Sequence, residues 1–156
     1  MIKLTRVDHR LLHGQIAFSW TADQNADCIL IANDGVMKDD LRKTTLKLAK
    51  PAGCKLVIKN LDDAIKALNS GVTDKYRLLI VIESIKDAKK LIDRCPAIHS
   101  LNLGGTKSSA NTRQISKAMF ITDQDAKDIQ ELISRGIEVE IRMLPQDKKI
   151  PAKDVI

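Results

Sequence analysis

The chain has 156 residues, the length of one ordinary domain, and its 44% hydrophobic and 29% charged residues are typical of a globular protein. Its apolar runs, such as Leu78–Ile82, are far shorter than the ~20 residues of a membrane-spanning helix, and no secretory leader precedes the strand-like start. The net charge of +6 would suit a nucleic-acid-binding protein, but the lysines are mixed with acids and aromatic residues make up only 3%. We therefore expect one cytoplasmic domain over residues 1–156 that neither spans a membrane nor binds nucleic acid.

The three cysteines, Cys28, Cys54 and Cys95, are widely spaced. An odd number without a Cys-x-x-Cys pair argues against a disulfide framework and against a zinc site. Cys28 and Cys54 adjoin apolar runs, which predicts small buried residues rather than catalytic thiols.

Short β-branched runs alternate along the chain with longer stretches of helical periodicity. In chain order, the predicted elements are strand Ile2–Arg6, helix Gly14–Gln24, strand Cys28–Ala32, helix Asp39–Lys50, strand Lys55–Ile58, helix Leu61–Ser70, strand Leu78–Ile82, helix Ile85–Arg94, strand Ser100–Leu103, strand Ala118–Ile121, helix Asp123–Arg135 and strand Val139–Met143.

Helix boundaries carry the expected signals: Asn60 and Thr122 as N-caps, and Gly71 and Gly136 where a helix end favours a left-handed residue. The strand–helix alternation predicts an α/β fold with an open, mostly parallel sheet of about seven strands and helices on both faces. The continuous apolar run Leu78–Ile82 agrees, because strands buried on both faces need not alternate.

Open α/β sheets bind ligands beyond the carboxyl ends of their strands. Three loops follow predicted strands at that edge: Val7–His13, Asn33–Lys38 and Gly104–Ser116. The last is long and has no predicted element, and such loops are more often functional than accidental. We expect the site where these loops meet.

The first loop concentrates the chemistry, since Arg6, Asp8, His9, Arg10 and His13 lie within eight residues of sequence. A neutral imidazole nitrogen is a good nucleophile near neutral pH, and guanidinium groups match phosphate oxygens. The unpaired amides at a helix start favour an anion, and Gly14 would let one approach closely. This pattern predicts phosphoryl transfer through His13, which needs mainly alignment and charge stabilisation.

Two alternatives stay open at this point. His9 and His13 have the His-x-x-x-His spacing of a metal site, but Arg-Leu-Leu lies between them, without a Glu, and nearby arginines would weaken cation binding. The histidines of the loop could also be merely hydrogen-bonded. His99, alone before a short strand, is interpreted as structural or exposed.

The loop and the helix after it resemble the N-terminal signature of IIB subunits in the mannose–fructose–sorbose class of bacterial sugar phosphotransferase systems. The residues that carry the resemblance are Arg6-x-Asp8-x-Arg10-Leu-Leu-His13-Gly14-Gln15-Ile16-x-x-x-Trp20. Weaker matches follow in the right order, namely Ile31-Ala-Asn33-Asp34, Asp39-Asp-Leu-Arg42-Lys, Asn102-Leu-Gly104-Gly105, Arg113-Gln-Ile-Ser-Lys and Gly136-Ile-Glu-Val-Glu-Ile-Arg142-x-Leu-Pro145.

The resemblance implies a phosphocarrier. A histidine of the IIA protein would phosphorylate His13 on its pros nitrogen, Nδ1, and the group would pass to a sugar presented by the membrane subunits IIC and IID. IIA would be another polypeptide, and no metal or cofactor would take part. Most other classes carry the phosphate on a cysteine of IIB, so a histidine carrier agrees with cysteines that have no catalytic role.

Chemistry and resemblance together suggest residue roles. His13 is the nucleophile, Arg10 the first choice to neutralise the transferring group, and Arg6 a partner of Asp8, which could orient an imidazole or an arginine. Trp20 is expected in the core or facing a partner. The further residues expected around the phosphate or in the pocket wall are Gly14, Gln15, Asp34, Gly104, Gly105 and Arg113.

Two other function classes share parts of this pattern. A regulatory phosphohistidine module would have the same site without sugar transfer, and a small-molecule-binding α/β domain would have no covalent step. In such systems the specificity for the sugar lies largely with the membrane subunits.

Overall fold

The computed structural model describes all 156 residues. The helices are α1 (Gly14–Gln24), α2 (Asp40–Ala49), α3 (Leu61–Ser70), α4 (Ile85–Arg94) and α5 (Asp123–Ser134). The strands are β1 (Ile2–Asp8), β2 (Cys28–Ala32), β3 (Lys55–Lys59), β4 (Leu78–Ile82), β5 (Ser100–Gly105), β6 (Arg113–Gln114), β7 (Phe120–Ile121), β8 (Glu138–Ile141) and β9 (Ile150–Pro151). Short 3₁₀ turns lie at Val36–Lys38 and Ala152–Asp154.

Seven strands form one open sheet in the order β3-β2-β4-β1-β5-β8-β9. The first six are parallel, and β9 pairs antiparallel with β8 at the edge. The predicted fold class, an open and mostly parallel α/β sheet of about seven strands, is confirmed.

The core has two layers because each central strand is buried on both faces. In β4, Leu78, Ile80 and Ile82 belong to one apolar cluster, and Leu79 and Val81 to the other. Helices α3, α4 and α5 cover the first cluster, while α1 and α2 cover the second. Helices therefore lie on both faces, as predicted.

This winding creates a switch point at β1. The chain leaves β1 for α1 on one face, whereas the connection that leaves the neighbouring strand β5 leads to α5 on the opposite face. Loops that diverge in this way leave a crevice at the carboxyl ends of the two strands, where open α/β sheets bind ligands.

The predicted strand Ala118–Ile121 is wrong in extent and in partner. Only Phe120–Ile121 is a strand, and it pairs antiparallel with β6 in a separate ribbon. The seventh strand of the main sheet is instead β9, which has two residues, one of them a proline, and therefore offers no periodicity to detect.

The loops around the crevice are also shorter than expected. Strand β1 continues to Asp8 and β5 to Gly105, because these residues still pair with each other across the sheet. Arg113 lies in β6, so the long Gly104–Ser116 segment is partly ordered as strand.

Candidate functional site

Strand β1 positions two charged side chains at its carboxyl end. Leu4 of this strand packs in the cluster under α1, and Arg6 and Asp8 follow at the two-residue spacing that keeps side chains on one face. Both charged residues are buried, with exposures of only 2% and 3%. Charged side chains are buried in this way only when they are paired.

Asp8 also shapes the turn that leads to His13. Its backbone carbonyl accepts a hydrogen bond from the Leu11 N–H (2.9 Å), and its Oδ1 accepts one from the Arg10 N–H (2.9 Å). Leu11, directly after the turn, adopts a left-handed φ of 60°, and its side chain is buried with that of Leu12. The two leucines therefore anchor the turn in the core and fix where His13 emerges.

His13 is the N-cap residue of α1, and its side chain is 14% exposed. Its Nε2 lies 2.9 Å from Asp8 Oδ2. Because a carboxylate can only accept, this contact selects the tautomer with a proton on Nε2. The other nitrogen, Nδ1, has no hydrogen-bond partner in the protein and is not among the buried unpaired atoms, so its lone pair is open to an incoming group.

Arg6 holds Asp8 from the other side. Its Nη2 donates to Asp8 Oδ2 (3.2 Å), and its Nη1 donates to Asn102 Oδ1 (2.7 Å) and to the Arg142 carbonyl (3.1 Å). The guanidinium also lies over the Trp20 ring, 5.4 Å from its centre. The Arg6–Asp8 pair expected from the sequence is present, with the guanidinium fixed by several further contacts.

Gly104 provides the space for this guanidinium. A Cβ at Gly104 would lie 2.1 Å from Arg6 Cζ, well inside van der Waals contact. Gly104 thus serves the site by admitting Arg6, whereas at Gly105 the nearest atom, His9 Nδ1, would be 3.7 Å away, an ordinary contact.

Opposing effects set the pKa of the Asp8 carboxyl. Burial alone would raise it, but the hydrogen bond with His13, the positive charge of Arg6 and the Arg10 N–H outweigh burial and lower it below the ordinary value. Burial lowers the pKa of Arg6, and the charge of Asp8 acts in the opposite direction. Asp8 is therefore a carboxylate at neutral pH, able to orient and neutralise a positively charged His13 ring.

The first turn of α1 completes the site. Gly14 adopts a φ of 40°, and the backbone N–H groups of Gly14, Gln15 and Ile16 have no protein acceptor. Gly14 and Gln15 are exposed, as is Arg10, whose guanidinium makes no hydrogen bond or ion pair within the chain. The unpaired amides directly follow His13 in the chain and the unpaired Arg10 guanidinium precedes it by three residues, and free donors at a helix start favour an anion.

The structure does not connect the other predicted site residues with this network. Asp34 accepts a hydrogen bond from the Leu61 N–H (2.9 Å) and so caps the start of α3. Arg113 is exposed on β6. The His9 N–H bonds to the Gly105 carbonyl (3.0 Å), which ties the loop to β5, and His99 is exposed before β5.

The structure contains no group of three or more His, Cys, Asp or Glu side chains arranged to hold a metal ion. Cys28, Cys54 and Cys95 are free and buried, and burial raises the pKa of each thiol. No helix combines the length and apolar character needed to cross a membrane.

Sequence reasoning gave no role to Asn102, and placed Trp20 in the core or facing a partner. The structure puts Trp20 in the core at 1% exposure, with its Nε1 donating to the Met143 carbonyl (2.9 Å). The available signal for Asn102 was an amide in strand Ser100–Gly105, which is buried after its first residue, since a polar residue in a buried strand must have partners.

Comparison with known proteins identifies the family. The family model described as "PTS system sorbose subfamily IIB component" matches residues 2–156. The chain belongs to this family. Its members are sugar phosphotransferase components, so the predicted membership of the mannose–fructose–sorbose class of IIB proteins is confirmed.

Individual relatives agree with the family. The sorbose-specific EIIB component of Lacticaseibacillus casei is 33% identical over 156 residues, which are 100% of this chain and 93% of that protein. The mannose-specific EIIAB component of Escherichia coli strain K12 is 30% identical over 100% of this chain but only 48% of its own length. The crystal structure of the IIB domain of the sorbose permease from Klebsiella pneumoniae superposes with a TM-score of 0.93 at 28% identity, covering 99% of this chain and 94% of that one.

Proposed function

We propose that this IIB component is a phosphocarrier formed by a single domain over residues 1–156. It accepts a phosphoryl group from a IIA protein on Nδ1 of His13 and passes it to a sugar during uptake through IIC and IID membrane subunits. The observation that carries the proposal is the Asp8–His13 hydrogen bond of 2.9 Å, in which Nε2 donates to the Asp8 carboxylate, so that the Nδ1 lone pair is left as the nucleophile. The E. coli relative named EIIAB supports a IIA partner for a chain of this kind.

The chemistry needs no cofactor. The Nδ1 lone pair forms a bond to phosphorus while the bond between phosphorus and the donor histidine nitrogen breaks. The His13 ring keeps its Nε2 proton and becomes positive, and the Asp8 carboxylate neutralises it. In the second step a sugar hydroxyl oxygen attacks phosphorus, the electron pair of the P–N bond returns to Nδ1, and the hydroxyl proton is released.

The surrounding donors stabilise the group in transit. A transferring phosphoryl group spreads negative charge over three oxygens. The free amides at the start of α1 and the unpaired guanidinium of Arg10 are the donors available to those oxygens.

Phosphorylation in vitro tests the first step. With phosphoenolpyruvate, the general phosphocarriers and IIA, we expect one phosphate per chain by intact mass, lost in acid as phosphohistidine requires. The His13→Ala variant should remain unlabelled, and His9→Ala should label like the parent chain. Full labelling of His13→Ala would refute the assignment, and labelling that depends on His9 would move the site.

Transfer to sugar tests the second step. Labelled chain is mixed with membranes that contain IIC and IID and with candidate hexoses, and phosphosugar is measured. Loss of label to a sugar supports the carrier role. Stable label in the presence of active membranes and every sugar offered would instead favour a regulatory phosphohistidine module.

A further inference from the structure

A row of polar side chains crosses the middle of the sheet behind the site. Arg6 of β1 is in register with Asn102 of β5, which is in register with Glu140 of β8. Asn102 is 1% exposed, so its amide must find its partners inside the protein.

Both the oxygen and the nitrogen of the Asn102 side-chain amide make hydrogen bonds in this row. Its Oδ1 accepts a hydrogen bond from Arg6 Nη1 (2.7 Å), and its Nδ2 donates to Glu140 Oε1 (3.3 Å) and to the Arg142 carbonyl (3.2 Å). An amide supplies both an acceptor toward a guanidinium and a donor toward a carboxylate. Asn102 therefore separates Arg6 from Glu140.

Arg6 has two carboxylates within its electrostatic reach. Its charge interacts with Asp8 and with Glu140, and Glu140 Oε2 is buried without a hydrogen-bond partner. The Glu140–Arg142 ion pair is loose, with 3.8 Å between Oε2 and Nη1. Without the intervening amide, Glu140 would compete with Asp8 for the Arg6 guanidinium.

We propose that Asn102 is a positioning residue for His13, because it holds Arg6 on Asp8 and away from Glu140. Arg6 and His13 share one oxygen, Asp8 Oδ2, at 3.2 and 2.9 Å. The position of Arg6 thus governs how much negative charge Asp8 Oδ2 offers to the His13 ring. The inference deepens the proposed function of His13 as the carrier.

The neutral substitution Asn102→Leu tests this role without adding a charge. Arg6 should turn toward Glu140, and Asp8, relieved of its cation, should stabilise protonated His13 more strongly. We expect the His13 titration midpoint, measured by NMR of the ring, to rise by about 1 pH unit relative to the parent chain. The charged groups around the His13–Asp8 contact are Arg6, Glu140 and Arg142, and the Arg10 backbone N–H also donates to Asp8.

A higher His13 titration midpoint in Asn102→Leu predicts slower phosphoryl transfer to His13. Only the neutral ring attacks phosphorus, so a midpoint raised by about 1 unit lowers the neutral fraction, and the rate of transfer from IIA, by up to about tenfold on the acidic side of the profile. The rate should recover as pH rises, which a merely destabilised variant would not do.

A double variant supplies the decisive comparison. In Asn102→Leu combined with Glu140→Gln, the competing charge is absent, so Arg6 should return to Asp8 and the His13 midpoint should return to the parental value. Asn33→Leu is the matched control, because Asn33 is also buried and also donates to a glutamate, Glu83 Oε2 at 3.0 Å, but it has no bond to Arg6. The control should leave the His13 midpoint unchanged.

An unchanged His13 midpoint in folded Asn102→Leu, or no return in the double variant, would overturn the inference. If Asn102→Leu does not fold, Asn102→Ala makes the same test. The titration needs neither IIA nor sugar. Its failure would therefore leave His13 as carrier, whereas an unlabelled parent chain in the phosphorylation assay would refute the carrier role itself.

Discussion

The site contains two arginines in different environments: the guanidinium of Arg10 is exposed and that of Arg6 is buried. Arg6 is fixed in the interior by Asp8, Asn102 and the Arg142 carbonyl, so it organises the carboxylate that faces His13. Arg10 contributes its backbone N–H to the same carboxylate and leaves its side chain free. The free guanidinium is therefore the one available to the phosphoryl group in the proposed transfer.

Arg10→Lys should fold like the parent chain and transfer phosphate more slowly. Lysine keeps the charge but loses the planar fork that matches phosphate oxygens, and we expect a loss of about 10-fold to 10²-fold, with a larger loss for Arg10→Ala. Single-turnover transfer from phosphorylated IIA measures the rate, and thermal melting checks the fold. Arg113→Ala is the comparison, since that guanidinium is also exposed. An Arg10→Ala variant that transfers normally while Arg113→Ala is slow would reassign the role to Arg113.

Gly104→Ala should both destabilise the chain and impair the site. The new Cβ would overlap the Arg6 guanidinium at 2.1 Å, and that group has no free direction because it is bonded on several sides. We expect a loss of about 1–3 kcal/mol in the free energy of unfolding, together with slower phosphorylation. Gly105→Ala is the matched control, with its nearest neighbour at 3.7 Å, and should be mild in both assays. Equal effects of the two substitutions would contradict this role of Gly104.

At the scale of the elements, helix α1 connects the site to the core through its first turn. His13 ends the extended segment at the N-cap, and Gly14 bends the chain into the helix with a φ of 40° that other residues adopt at a cost. Trp20, further along the same helix, lies under the guanidiniums of Arg6 and Arg142 at 5.4 and 5.3 Å. Helix and strand are therefore locked together at the position of His13.

The Gly14→Ala variant tests whether the backbone conformation at Gly14 affects phosphorylation of His13 beyond its effect on stability. Nothing lies within 4 Å of a Cβ at Gly14, so only the left-handed conformation opposes alanine, at a cost of about 1 kcal/mol. Gly136→Ala meets the same condition, with a φ of 88° and open space, far along the chain after α5. Both variants should lose similar stability in urea melts, but only Gly14→Ala should slow phosphorylation of His13. Parallel slowing in both would show that the effect is global.

The sequence predicted helices better than strands because helix ends carry local chemical signals. The Asn60 and Thr122 side chains accept from the amides three residues on, as their N-cap assignment requires, and Gly71 is left-handed at the end of α3. The ends of β1 and β5 have no such signal. Asp8 and Gly105 stay in the sheet because β1 pairs with β5, a strand distant in sequence. A local sequence pattern carries no information about such long-range pairing.

The candidate site was predictable as a set of residue types but not as a network. The concentration of Arg6, Asp8 and His13 in one segment predicted that these side chains lie together, and the structure joins them by hydrogen bonds. Asn102 and Glu140 belong to the network only because of strand register. In sequence, Asn102 is 96 residues from Arg6, and Glu140 is further still. Asp34 accepts a hydrogen bond from the first amide of α3, and its place in the pocket wall stays a prediction.

At the scale of the whole molecule, the site couples the stability of the fold to pH. The pKa of Asp8 is lower in the folded chain than in an unfolded one, because the His13 bond, the Arg6 charge and the Arg10 N–H outweigh its burial. The Asp8 carboxylate therefore stabilises the fold fully at pH values above its pKa in the unfolded chain, which is about 4. This stabilisation is lost as the pH falls through the lower pKa of Asp8 in the folded chain. The contribution therefore persists at neutral pH and disappears in acid.

Asp8→Asn should reveal this contribution as a pH-dependent difference in stability. At neutral pH the variant leaves Arg6 buried without its counter-ion, which typically costs about 3–5 kcal/mol in the free energy of unfolding. As the pH falls from about 4 through the lower pKa of folded Asp8, the parent chain protonates Asp8 and comes to resemble the variant, so the difference should shrink toward zero. Urea melts of both proteins at constant ionic strength, from pH 7 downward, measure it.

Asp74→Asn, at an exposed carboxylate whose side chain makes no hydrogen bond or ion pair, is the control and should differ little from the parent chain at any pH. A gap between Asp8→Asn and the parent that stays constant into acid would mean that Asp8 stabilises the fold by its shape and not by its charge.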